Sequence, residues 1–363
     1  MTSPRLQAAT TPRDPRDLVR LLIVDRRGCR DAGVAGELPH HLRRGDLLVV
    51  NDAATLPASL PASLGNAALE LRLAQPPRGD RAQAVLFGAG DWRTRTEHRP
   101  APPLVAPGEG LRVAEMEATV LSVDALSPRL LLLRFDRGGD ALLAAIYRHG
   151  RVVQYAHLAD EVPLWSAQTI FAARPWAVEA PSAGRPISGA TLAALRARGV
   201  RLATLTHAAG LSATGDPRLD AALPLPERYD IPEATAAAVR EALAAGRRVV
   251  AVGTTVVRAL EDSAERHGTV RAGEAIAGLR VDASYRPRVV SAVLTGMHAP
   301  GESHYDLLAA FAPVARLTAA HRHAAEAGYL AHEFGDLALV EGRPILRSRA
   351  ARNAPRSRGI VWS

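Results

Sequence analysis

Apolar and polar positions follow two rhythms along the chain. Toward both ends, short apolar runs alternate with longer stretches in which apolar residues recur at helical spacing. Residues 18–25 and 47–50 are expected to be strands, with a short helix over 39–44 that tolerates Pro39 in its first turn. Beyond Arg151, buried-type strands are predicted at 200–206, 249–252, 289–295 and 335–340. Helices are predicted between and after them at 189–198, behind the cap Ser188, and at 233–245, opened by Pro232 and ended by Gly246. Two more are expected at 304–311 and 314–327.

From about Ser59 to Gly150 the rhythm differs. Short segments (67–73, 83–87, 111–123 and 130–135) are separated by proline- and glycine-rich turns, with a helix only at 140–149. This is the pattern of a small β-barrel or sandwich. Helices between apolar strands argue for a parallel, three-layer sheet. The expected fold class is therefore α/β: a three-layer, mostly parallel sheet domain formed by 1–58 and 151–363, with a small β-barrel domain, 59–150, inserted.

The stretch Val249 to Glu261 organises the rest. An apolar strand ends at Gly253, and Thr254 and Thr255 open a helix. Free N–H groups at such a helix start favour an anionic ligand group, although Thr254 could be only a helix cap. Two other predicted strands end in the same manner, each with a histidine: Thr206-His207, and Thr295-Gly-Met-His298. Ligands of open α/β sheets collect at the carboxyl ends of strands. Histidine there can move protons, or can simply be structural. Pro181-Ser182-Ala183-Gly184 allows close approach of a flat ligand, or is an ordinary turn. Glu227 and Asp336 are the carboxylates nearest these features.

Composition narrows the chemistry. All 45 basic residues are arginine, so a Schiff-base lysine, a pyridoxal phosphate site and a Walker P-loop are excluded. The net charge of +8 suits a polyanion such as RNA, or reflects compositional bias, and the arginine-rich 347–358 could serve the same end. A single cysteine excludes a disulfide framework and a cysteine-based zinc site. No G-x-S-x-G motif and no convincing metal-ligand spacing is present. His321 and His323 sit two apart on a predicted helix and would face different directions. No secretory signal or membrane-length apolar run is visible, so a cytoplasmic protein without a membrane partner is expected.

These segments resemble, in order, those of the S-adenosylmethionine:tRNA ribosyltransferase-isomerase family of queuosine synthesis. Gly45-Asp-Leu-Leu-Val-Val-Asn51 is similar to its G-D-L-L-V-x-N, and Gln168-Thr-Ile-Phe171 to its Q-T-V-Y. Pro181 to Gly184 resembles P-T-A-G. Val252-Gly-Thr-Thr-Val-Val-Arg-Ala-Leu-Glu261 resembles V-G-T-T-S-V-R-S-L-E, and Gly335-Asp336 resembles the end of Y-G-D. The resemblance implies an α/β domain interrupted by a β-barrel. It implies S-adenosylmethionine as substrate, no metal, and transfer of its ribosyl part to a deazaguanine of tRNA. Adenine and methionine leave, and the sugar becomes an epoxy-cyclopentanediol.

On this resemblance Gly253, Thr254, Thr255, Arg258 and Pro181 to Gly184 hold S-adenosylmethionine. His207 and His298 are acid/base candidates, and Glu227 and Asp336 possible partners. The chain departs from the family elsewhere. Asp52-Ala-Ala-Thr-Leu-Pro-Ala-Ser59 lacks two arginines of the family pattern, Arg185-Pro-Ile187 replaces L-H-F, and Tyr329 to Asp336 carries His332-Glu333 in place of aromatic and serine positions. A small-molecule acceptor, water, or an inactive RNA-binding relative are the alternatives.

Overall fold

An interior strand of the sheet, Leu47–Asn51, comes from near the N-terminus, and both strands beside it come from beyond residue 200. The computed structural model describes residues 5–342, so the arginine-rich 347–358 lies outside the described residues. Nine strands form one sheet. From edge to edge they are Gly273–Ala277, Glu227–Ile231, Arg201–His207, Leu47–Asn51, Val249–Val252, Ala292–Gly296, Leu337–Glu341, Arg20–Asp25 and Gly28–Val34. The four strands from Arg201–His207 to Ala292–Gly296 run parallel. Leu337–Glu341 is antiparallel to that block but parallel to Arg20–Asp25, and both edges end in antiparallel pairs.

Val249 to Val252 are all buried because the sheet is covered on both sides. Val249 and Ala251 join the core under the helices Glu233–Ala244, Thr254–His267 and Val314–Glu326, while Val250 and Val252 join the opposite core with Ala183, Leu38 and Leu195. The two cores follow from side chains alternating across a strand. Ser188 caps Gly189–Ala197 as expected, its hydroxyl accepting from Thr191 N–H at 3.1 Å.

Three sheet strands were not expected: Gly28–Val34, Glu227–Ile231 and Gly273–Ala277. Two are edge strands, which need no apolar run on their solvent side. Glu227–Ile231 alternates buried and half-buried residues and carries charge. The short helix expected at 39–44 is a 3-10 turn over Ala35–His41.

The segment expected as one strand at 111–123 is a hairpin, Gly110–Val113 and Met116–Val123, turned at Ala114 with φ +53°. It completes a closed antiparallel barrel with Leu130–Phe135, Arg81–Phe87, Ala67–Leu73 and Ser59–Leu64. The barrel core continues into Val178, Leu211 and Leu219, so the barrel lies against loops that leave the carboxyl ends of the sheet strands.

Candidate active site at the strand tips

Backbone register alone brings the main candidates together. Leu205 is level with Asn51, Val49 with Ala251, and Val252 with Leu294. His207, Asn51, Gly253 and Thr295 to His298 therefore leave the sheet along one edge. Gly253 donates its N–H to Leu294 O at 2.8 Å and takes φ +89°, ψ 156°, a conformation available almost only to glycine. It turns the chain into the helix Thr254–His267, whose first N–H groups lack intrahelical partners. A Cβ on Gly253 would lie 3.7 Å from Ala183, so the turn Ser182–Gly184 rests on this helix entry. Gly184 faces Val252, Thr169 and Phe171 at comparable distances.

Asn51 fastens the edge. Its amide oxygen accepts from His207 N–H (2.9 Å) and Ala53 N–H (3.0 Å), and its amide nitrogen donates to His207 O (2.9 Å) and toward Thr255 Oγ1 (3.5 Å). Beside it, Thr206 Oγ1 donates to Asp52 Oδ1 at 2.6 Å. Asn51 closes the Gly45–Asn51 segment matched in the sequence, and its side chain is what holds this edge together.

Arg258 and Glu227 are both buried and form an ion pair with each other, and Arg258 also donates to Ala277 O at 3.1 Å. Glu227 Oε1 accepts from Gly210 N–H at 2.6 Å. Burial raises the Glu227 pKa, and Arg258 only partly offsets it. In this arrangement the Arg258 charge is spent on Glu227 rather than offered to a ligand carboxylate.

His207 is 0% exposed, and neither ring nitrogen has a hydrogen bond. Its Nε2 lies 3.7 Å from Glu227 Oε2, and Tyr229 stacks at 6.5 Å. Burial, then the Arg258 charge, push its pKa well below the usual histidine range. A neutral, enclosed imidazole is poorly placed to exchange protons with a substrate in this conformation.

His298 differs. Its side chain is 19% exposed, its Nε2 is 2.9 Å from Thr295 Oγ1, and its Nδ1 is 3.5 Å from Glu302 Oε2. His304 lies 4.8 Å away ring to ring and is pushed down to about 3 by burial and the His298 charge. Asp336 is 1% exposed, and its two oxygens accept from Arg20 N–H (2.7 Å) and Leu330 N–H (2.9 Å). Both acceptors are occupied by backbone, which is the geometry of a loop staple.

Three features were not found by sequence reading. Tyr155 donates to Glu179, two residues before Pro181, and burial pushes the Glu179 carboxyl up to about 7. A depression of about 380 Å³, lined in part by Arg16, Trp165 and Arg185, opens beside the Ser182–Gly184 turn but includes none of the strand-tip residues. His157, His332 and Glu333 converge from distant parts of the chain. No spacing rule could link residues so far apart.

The fold is an open α/β sheet whose parallel strands end together around a glycine-entered helix, an arrangement in which ligands commonly bind at the strand tips. The chain belongs to the family described as queuosine biosynthesis protein, whose model matches residues 2–340. It is 36% identical over 353 residues to the S-adenosylmethionine:tRNA ribosyltransferase-isomerase of Thermus thermophilus, covering 93% of this chain and 96% of that protein. The protein of the same name from Sorangium cellulosum is 36% identical over 374 residues, with the same coverage. That from Rhodospirillum rubrum is 34% identical over 348 residues, covering 93% and 95%. A solved structure, S-adenosylmethionine tRNA ribosyltransferase from Thermotoga maritima, is similar with a TM-score of 0.49 and 24% identity, covering 92% of this chain and 95% of that one.

Proposed function

We propose that this protein transfers and isomerises the ribosyl group of S-adenosylmethionine onto a deazaguanine of tRNA, releasing adenine and methionine. The observation that carries the reading is the common edge shared by Gly253, Asn51, His298 and the Ser182–Gly184 turn, in a chain of this family.

The sulfonium makes the adjacent ribose carbon acidic, so a base can remove its proton and start the rearrangement. His298 is our candidate for that proton transfer, because its ring is partly exposed and oriented by Thr295 and Glu302. The helix entry at Thr254 and Thr255 suits the methionine carboxylate, through N–H groups and hydroxyls. The small side chains of the Ser182–Gly184 turn permit close approach of the flat adenine. Departing adenine must gain a proton or a hydrogen bond, and the protonated Glu179 carboxyl is a group of suitable acidity near that turn. We assign the Arg258–Glu227 pair, His207 and Asp336 to holding this edge in shape. The steps are proton transfers and bond exchange within the two substrates, so the chemistry itself calls for no metal.

The test is incubation with S-adenosylmethionine and a tRNA carrying the aminomethyl-deazaguanine, scored by nucleoside mass spectrometry. Modified nucleoside with matched adenine and methionine release is the expected result. Release at the same rate without tRNA would favour the second reading, a small-molecule acceptor or water. The absence of arginine from the loop 52–59 motivates that reading, since arginines hold RNA phosphates.

A further inference from the structure

We propose that His157, His332 and Glu333 bind a divalent first-row transition ion, zinc above all, which clamps the segment following the barrel to the turn preceding Asp336. One ligand atom from each residue lies within 4.8 Å of the others. Two imidazoles and one carboxylate are a donor set suited to zinc, with an open position left for water. Magnesium and calcium prefer oxygen alone.

The geometry is partly prepared. His157 Nε2 and Glu333 Oε2 are 3.2 Å apart, close to the ~3.3 Å edge that bonds of ~2.0–2.1 Å make around a tetrahedral ion. That nitrogen is buried yet makes no aligned hydrogen bond. The rings of His157 and His332 stack at 4.3 Å and 22°.

His332 also holds φ +68°, a left-handed conformation uncommon outside glycine, though histidine enters it more readily than most residues. The turn around it is fixed by Gly335 N–H to His332 O (2.9 Å) and by Asp336 on Leu330 N–H (2.9 Å). A glycine would fit that backbone with less strain, so the histidine at this position calls for a reason in its side chain. The inference does not depend on the proposed activity.

The full-length protein, stripped with a chelator, is titrated with zinc chloride by calorimetry, and bound metal is counted by mass spectrometry. Cobalt is then substituted for its visible spectrum. One equivalent of zinc, a raised Tm, and cobalt bands of a nitrogen and oxygen environment are expected. His332→Gly should abolish these signals while leaving the metal-free Tm equal or higher, which separates ligand loss from misfolding. Glu333→Gln and His157→Ala should each weaken zinc at least tenfold, and His40→Ala, at an exposed histidine elsewhere, should not. Zinc binding no tighter than magnesium, or binding unchanged in His332→Gly, would overturn the proposal.

Discussion

At His298 the side chain's partial exposure and its two oriented contacts argue that loss of the ring affects turnover more than binding. His298→Ala is predicted to lower kcat by about 100-fold or more, with S-adenosylmethionine affinity little changed. Single-turnover release of adenine, paired with calorimetry, checks it; an equal loss in binding would make His298 a binding residue.

Arg258→Met leaves Glu227 buried without its partner and is predicted to cost about 3–5 kcal/mol of stability. Urea denaturation reads this directly, and a loss below about 1 kcal/mol would show that the pair contributes little. Glu179 supplies a pH signature. Its carboxyl keeps a proton up to about 7 in the folded protein, whereas an unfolded glutamate releases it near 4.5. The folded state therefore binds more protons between these values, and stability falls as pH rises through that window. Glu179→Gln should flatten this fall in urea midpoints measured between about pH 4.5 and about pH 7.5.

These residues also show what a motif hides. Arg258 and Glu261 stand in the most specific sequence match, and both point inward. Glu261 is 0% exposed and accepts from the N–H groups of Arg288, Val289 and Val290, fixing the approach to the Ala292–Gly296 strand. A sequence pattern records which residues are present, but not whether their charges face a ligand or a neighbouring loop.

At the scale of elements, the helix Thr254–His267 acts through its entry and its buried face. Asp262 accepts from Tyr229 OH (2.9 Å) and from Gly278 and Leu279 N–H (3.2 Å each), so one helix ties the edge strands to the sheet centre. Gly253→Ala meets no steric obstacle, since its nearest neighbours would be at 3.5 and 3.7 Å. Its backbone angles are what exclude a side chain. The substitution is predicted to cost about 1–3 kcal/mol and to weaken S-adenosylmethionine by reorienting the helix entry. Denaturation and ligand titration together test this, and an unchanged affinity would place the ligand elsewhere. The long strands and helices were legible because their apolar positions repeat. The edge strands were not, because pairing on one side and solvent on the other permit charged residues such as those of Gly28–Val34.

For the whole molecule, the barrel core packs onto Val178, Leu211 and Leu219, in segments that follow the strand tips. The net charge of +8, carried entirely by arginine on the basic side, argues that tRNA association is electrostatic in large part. Affinity for tRNA is predicted to fall linearly in log–log form as salt rises. Filter binding at several salt concentrations checks this, and a flat response would favour a small acceptor.

The sequence by itself determined the alternation of strands and helices, the β-rich interval between them, the glycine-entered helix and the family. Each of these is written in local periodicity, in a backbone angle only glycine tolerates, or in ordered motifs. Tertiary structure decided which polar side chains at the strand tips stay partly exposed and which face each other. It paired Arg258 with Glu227, enclosed His207, tied Asp336 to backbone, raised Glu179 through burial, and brought His157 to His332 and Glu333. Those outcomes depend on desolvation and on distances between groups far apart in the chain, and neither quantity has a local signature.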